Sequence, residues 1–214
     1  MRIDIVSDVV CPWCFIGKRR FERALEMRPE IDIEITWRPF QLNPDMPPEG
    51  MPREAYLAAK FGGSHHADRI YSTVREAGAG VGIPFAFDRI RRTPNTRDAH
   101  RLIRFATEQG SADTVVDHLF RAYFLEGRDI GDPDTLAAIA STAGLDQDET
   151  AAWLNSPAGI EEVIGEDRNA RRIGINAVPC FIVDQRYAIS GAQEPEFFLP
   201  LFDLVLNGAP AEAD

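Results

Sequence analysis

Residues 2–17 read Arg2-Ile3-Asp4-Ile5-Val6-Ser7-Asp8-Val9-Val10-Cys11-Pro12-Trp13-Cys14-Phe15-Ile16-Gly17. The apolar-rich run 2–7 predicts a strand. Pro12 falls where the first turn of a helix tolerates proline. Phe15, Ile16, Arg19, Phe21 and Leu25 carry that helix to about Met27. Ile31-Asp32-Ile33-Glu34-Ile35-Thr36-Trp37 then alternates apolar and polar at period two, a second strand signal. Strand, helix and strand with this connection length make a parallel βαβ unit.

Cys11 and Cys14 are separated by two residues at the junction of the first strand and helix. Two thiols at this spacing close a small ring by thiol–disulfide exchange. That chemistry needs one exposed thiolate as attacker and a second thiol to release the mixed disulfide. A helix N-terminus presents free N–H groups and partial positive charge, both of which stabilise a thiolate. Cys11 is therefore the expected attacker, and Cys14, one turn in and more buried, the resolving thiol. The competing reading is half of a zinc site. It needs two more ligands at finger-like spacing, and Cys180 with four histidines does not supply them. No metal is expected.

Further along, Asn43-Pro44-Asp45-Met46-Pro47-Pro48-Glu49-Gly50-Met51-Pro52 is a breaker-rich linker. From about 53 to 173 the signals are almost all helical. Ala99, Leu102, Ile103 and Ala106 make one stripe, and Val115, Val116, Leu119, Phe120, Tyr123 and Phe124 another. Asp132-Pro133 reads as a cap and first-turn proline, Asp146 opens a further helix, and a last one follows Pro157. At 177 the pattern reverts. Phe181-Ile182-Val183, Asp184-Gln185 and Tyr187-Ala188-Ile189 read as a hairpin ended by Gly191. Pro195 opens a C-terminal helix in which Pro200 predicts a kink or a later start. The tail from Gly208 is expected to fray. The outer pieces form one α/β layer with the helical block inserted between them. Ala177-Val178-Pro179-Cys180-Phe181 starts a strand after that block, a position where proline is compatible with a sheet.

The chain resembles the DsbA family of the thioredoxin superfamily, and within it the FrnE-like subgroup. The matching stretches are 7–14 with Gly17-Lys18, Pro39-Phe40-Gln41-Leu42-Asn43-Pro44, Asn95-Thr96 with Ala99-His100-Arg101-Leu102, Gly174, Val178-Pro179 and Tyr187–Gln193. They span essentially the whole chain. The resemblance implies an α/β thioredoxin fold with a large all-helical insertion: residues 1–45 and 176–214 as a discontinuous thioredoxin-like domain, 46–175 as the inserted helical domain. It also implies oxidase, reductase or isomerase activity on disulfides. Cys11 then carries over as nucleophile, Cys14 as resolving thiol, and Pro179 as a cis-proline facing them, leaving the backbone of Val178 free to pair with a substrate strand. Cys180 departs from the family, where a non-cysteine residue is more usual. A related branch of glutathione-dependent isomerases and kappa-class transferases has serine in place of the first cysteine, so the intact pair makes that the second reading. A third is a non-redox protein holding a peptide or biosynthetic intermediate, which has no use for a second cysteine at this spacing.

Other residues carry two readings each. Asp8, three residues before Cys11, tunes the thiols or relays protons, or is a partly exposed strand end. Asn95 and His100 line the groove facing the dithiol, as the resemblance suggests, or His100 is structural. Trp13 forms a flat apolar contact for substrate or covers the helix start, and the Pro12-Trp13 dipeptide is a lever on the reduction potential. Phe85-Ala86-Phe87 is a groove lip or packs the helical block. His65-His66 reads as a surface loop. Cys180 is a back-up thiol for Cys11 or Cys14, or a small buried residue whose thiol turns into the core.

The chain has 214 residues, 44% hydrophobic, with a formal net charge of −11. That charge disfavours nucleic acid and anionic membrane as partners. No apolar run reaches the roughly 18 residues of a membrane span. Three cysteines do not make a structural disulfide framework, and no leader is evident at the N-terminus, so the cytoplasm is expected. The expected partners are disulfide- or dithiol-containing proteins or small molecules, with no cofactor beyond glutathione as a redox partner. In the reduced protein at neutral pH, Cys11 is predicted to alkylate much faster than Cys14. Mass spectrometry of a timed iodoacetamide reaction checks this, and a faster Cys14 would exchange the roles.

Overall fold

The computed structural model describes residues 1–207, the side chains of Ser64, His65, His66 and Asn207 excepted. The tail from Gly208, expected to fray, lies outside the described residues.

The first strand, β1, is Arg2–Ser7, and the first helix, α1, is Pro12–Glu26. The second strand, β2, is Glu34–Pro39, later than the alternating run that announced it. The reason is the partner: β2 pairs in parallel with β1 from Arg2↔Glu34 to Ser7↔Pro39. Since β1 begins at Arg2, residues 31–33 have no strand to pair with.

The proline-rich stretch after β2 holds one element that was not foreseen. Met51–Pro52 (β3) pairs antiparallel with Arg92–Thr93 (β4). Gly50 permits it: its φ is +70°, and a Cβ there would stand 2.7 Å from the Thr93 carbonyl oxygen. Helices α2 (Arg53–Phe61) and α3 (Ser64–Gly80) follow, and a 3-10 turn at Phe87–Arg89 leads to β4. The backbone of His65 and His66 thus lies in the first turn of α3 and not in a surface loop. Gly62 and Gly63 end α2, and the next helix starts at once.

Beyond β4 come α4 (Arg97–Glu108), α5 (Ala112–Arg121), α6 (Pro133–Thr142), α7 (Gln147–Leu154) and α8 (Ile160–Arg172). The stripe Val115–Phe124 is only partly α-helix, since a π turn at Ala122–Glu126 extends α5. Asp132 and Asp146 cap α6 and α7 by accepting from the backbone N–H of Thr135 and Glu149.

The chain returns through β5 (Cys180–Val183) and β6 (Tyr187–Ser190). The sheet order is β2-β1-β5-β6, with β5 antiparallel to β1, so the hairpin joins the first two strands. Asp184 and Gln185 both take positive φ in its turn. The C-terminal segment makes a 3-10 turn at Pro195–Phe197 and then helix α9 (Leu199–Asn207), a start late enough to hold Pro200 in the first turn.

The buried apolar side chains of sheet and helices form one continuous cluster. Helix α1 joins both sides of it. Phe15 stacks on Phe120 of α5 at 5.0 Å, and Phe21 meets Phe181 of β5 at 5.1 Å. Among the described residues no helix is long and apolar enough to cross a membrane.

One buried cation holds α4 to the end of α7. Arg101 is 2% exposed, and its guanidinium donates to the carbonyls of Trp153, Leu154, Ser156 and Ala158 and to Asp98. These carbonyls include helix-terminal acceptors that α7 cannot satisfy itself. Arg101→Met removes the donor from all four, of which only the Trp153 carbonyl is seen to keep another, the Ser156 N–H, and is predicted to cost about 3–5 kcal/mol of stability. Urea unfolding checks this; a loss under about 1 kcal/mol would mean that water takes over the cap.

Candidate active site

Cys11 is the N-cap residue of α1, in extended conformation, with Pro12 opening the helix behind it. No side chain caps this end, and the first turn holds no acidic residue. Pro12 has no N–H and that of Cys14 donates to the Cys11 carbonyl at 3.0 Å, which leaves the Trp13 N–H and the helix dipole to favour a negative charge. Cys11 Sγ donates to the Val178 carbonyl at 3.7 Å, and the Val178–Pro179 bond is cis. Contrary to the expectation of an exposed attacker, Cys11 is itself buried, 5% exposed against 1% for Cys14. The start of β5 closes over it while Pro12 and Trp13 lie half-buried beside it.

The close packing of α1 on Pro179 rests on Gly17. A Cβ at that position would stand 2.7 Å from Pro179 Cγ. The strand that follows is held in turn, because Gly191 N–H donates to the Pro179 carbonyl at 2.8 Å and Arg20 donates to the Ala192 carbonyl at 2.5 Å. Lys18, buried, pairs with Glu22 and with Asp113 of α5. These contacts account for the Gly17-Lys18 and Ser190–Gln193 stretches of the sequence.

Asp8 is not a partly exposed strand end. It is fully buried and carries three contacts. Its carbonyl accepts from Cys11 N–H at 3.0 Å, its Oδ2 accepts from Leu42 N–H at 2.7 Å, and its Oδ1 stands 3.4 Å from His100 Nε2. The turn after β2 is pinned from the other side too. Asp167 Oδ1 accepts from Gln41 N–H at 2.8 Å, and Arg171 donates to the Gln41 carbonyl while lying over the Phe40 ring.

His100 reaches the site through Asp8 and also lines a cavity beside β2. Asn95 offers substrate no free polar atom: its Oδ1 accepts from Arg97 N–H and its Nδ2 donates to the Met46 carbonyl. Phe85 and Phe87 stack at 4.9 Å and both lie against Phe124, packing the helical block. Cys180 pairs in register with Val6 and Ser190. Its neighbour Phe181 packs on Phe21 of α1, so strand alternation turns Cys180 to the opposite face. There the Ser190 hydroxyl donates to it at 4.0 Å, and burial pushes its thiol up.

Burial also pushes the Cys14 thiol well above its ordinary value, and the Cys11 sulfur beside it adds to that. The Ser7 hydroxyl and the Asp8 backbone pull it partly back. Ser7 was not among the residues singled out from the sequence. The available signal was its period-two parity with Ile3 and Ile5, which puts a hydroxyl at a core position.

The fold, with a dithiol at the start of its first helix, defines a thioredoxin-like domain. A DSBA-like thioredoxin model matches residues 2–202, and the chain belongs to that family. It is 34% identical to the probable DsbA oxidoreductase of Streptomyces coelicolor, whose structure superposes with a TM-score of 0.88 over 100% of this chain and 94% of that one. A protein of Bacillus subtilis known as YwbO is 28% identical over 207 residues, covering 92% of this chain and 94% of its own length. The cytosolic disulfide reductase DsbM of Pseudomonas aeruginosa, 18% identical, shares the fold with a TM-score of 0.69 over 98% of this chain and 100% of that one.

The raised Cys14 thiol has a consequence for stability. The folded state holds this proton more tightly than the unfolded chain, whose thiol ionises near 9.0. Its contribution is therefore full below pH 9 and is lost as pH rises further. Reduced protein is predicted to lose stability between about pH 9 and 10.5 more steeply than its Cys14→Ser variant. Denaturant titrations across that range check it; parallel slopes would show that Cys14 ionises freely in the fold.

Proposed function

We propose that this protein is a thiol–disulfide oxidoreductase in which Cys11 attacks and Cys14 resolves, exchanging disulfides with a protein or small-molecule partner. The single observation that carries this reading is the pair itself. Cys11 sits at an uncapped helix start with Cys14 against it one turn in, and the Val178 backbone lies beside the first sulfur. Val178 and Pro179 frame the substrate strand, while Pro12 and Trp13 form the surface next to it. Asp8 and His100 tune the dithiol from behind, whereas Asn95 holds the turns around it. Cys180, on the far face of β5, serves packing.

Residues 1–45 and 176–214 are proposed to act as the redox unit and 46–175 as the inserted helical unit. The FrnE-like subgroup, the cytoplasm, and glutathione as a redox partner are parts of the same proposal. Three cysteines, none needed to staple the fold, support a reducing compartment. Glutathione-dependent isomerisation is disfavoured because the resolving Cys14 stands where that chemistry needs none.

Purified protein is expected to speed insulin reduction by dithiothreitol, with Cys11→Ser at background and Cys14→Ser accumulating mixed disulfides. Equal turnover by wild type and Cys11→Ser would sink the reading. A glutathione redox series then gives the direction of electron flow.

A further inference from the structure

Arg20 lies three residues after Gly17 on the same face of α1 and reaches the segment that follows β6. Its Nη1 donates to the Ala192 carbonyl at 2.5 Å, and its Nη2 stands 2.6 Å from Glu194 Oε1. The side chain is 14% exposed, so solvent screens these bonds little. Both are charge-assisted, and the planar guanidinium presents its donors as a fork whose geometry is already set. Gln193 closes the segment on itself: its backbone donates to the Gly191 carbonyl and its side chain to the Ser190 carbonyl. Those bonds shape the segment, while Arg20 ties it to the helix that carries the dithiol.

The segment in turn holds the start of β5. The ladder between β5 and β6 ends at Cys180↔Ser190. One step beyond it, Pro179 has no N–H to pair. Its carbonyl is the remaining main-chain link, and it accepts from Gly191 N–H at 2.8 Å. The next residue, Ala192, is the Arg20 acceptor. A chain of hydrogen and peptide bonds therefore runs from Arg20 through Ala192 and Gly191 to Pro179. It stops one residue short of the Val178 carbonyl that Cys11 Sγ meets at 3.7 Å.

We propose that Arg20 is a positioning residue for polypeptide substrates: it holds the Gly191–Glu194 segment on α1, and through the Gly191–Pro179 bond it fixes the Val178 backbone on which an extended chain docks. The inference rests on the thiol–disulfide reading of the same site and deepens it toward a substrate class. An extended polypeptide has to pair with Val178 while its disulfide meets Cys11. It gains affinity from a backbone already in place, because a backbone that drifts must be ordered on binding. A small aromatic disulfide reaches Cys11 without pairing to the chain and gains nothing from Arg20. Arg20 itself bonds neither sulfur and acts only through the segment.

Two disulfides of different size separate this role from a general one. Insulin reduction at saturating dithiothreitol gives KM and kcat for a polypeptide. Stopped-flow reaction of the reduced protein with 5,5′-dithiobis(2-nitrobenzoate) gives the rate of attack on a small disulfide. Arg20→Met keeps the apolar stem and removes both donors; it is expected to raise KM for insulin about tenfold with kcat nearly unchanged. Its reaction with the small disulfide is expected at the wild-type rate. Arg20→Lys, which restores one charged donor without the fork, is expected to recover part of the KM. Glu194→Ala removes the outer arm at a half-exposed site and is expected to raise KM about two- to threefold. If Arg20→Met fails to fold, Glu194→Ala decides the matter. An unchanged KM for insulin in the folded variant, or equal losses toward insulin and the small disulfide, overturns the positioning role and leaves the dithiol reading intact. Wild-type protein that reacts with the small disulfide and not with insulin also overturns the positioning role alone. Wild-type protein that reacts with neither overturns the dithiol reading, and the positioning role with it.

Discussion

A hydrogen atom on Gly17 is all that separates helix α1 from the pyrrolidine ring of Pro179, where a Cβ would come within 2.7 Å. That approach brings the positive end of the helix against the beginning of β5. It sets Cys11 Sγ at 3.7 Å from the Val178 carbonyl. The aromatic rings along α1 then hold the helix at this depth, Phe15 against the α5 side and Phe21 against β5 and α9. The dithiol is thus positioned by packing on two sides of one helix.

Asp8 performs the complementary task on the strand side. A buried carboxylate has to be matched by donors or charge. This one accepts from the Leu42 backbone and faces His100, while its own carbonyl accepts from the Cys11 backbone. The chain entering α1, the turn leaving β2 and the helix α4 therefore meet at one residue. The hydrogen bonds farther out, between the Gln41 backbone and the Asp167–Arg171 ion pair, keep that turn from drifting. The stretch Pro39–Pro44 is held by this network and presents little free polar surface of its own.

Some of the candidate site was legible because its chemistry is local. A cysteine at a strand–helix junction with a second one turn on depends only on neighbours in sequence, as do the caps at Asp132 and Asp146. The hairpin and the late start of α9 around Pro200 were likewise written in turn and breaker residues. Other expectations failed for want of a partner. Alternation in 31–37 marked a strand, yet only the residues facing β1 pair. Met51 and Pro52 form a ladder because Arg92 and Thr93 arrive from forty residues away. His100 and Asn95 carry polar side chains whose direction no periodicity specifies.

By itself, the sequence determined the dithiol, the order of elements and the return to strand at 180. Each follows from backbone preferences and spacing that act within a few residues. Tertiary structure decided how deep the sulfurs lie, that Asp8 is fully buried, that Cys180 faces away from α1, and that Ser7 and His100 line a cavity beside β2. Those depend on which surfaces meet across long separations, and burial, which sets the thiol chemistry through desolvation, exists only once they have met.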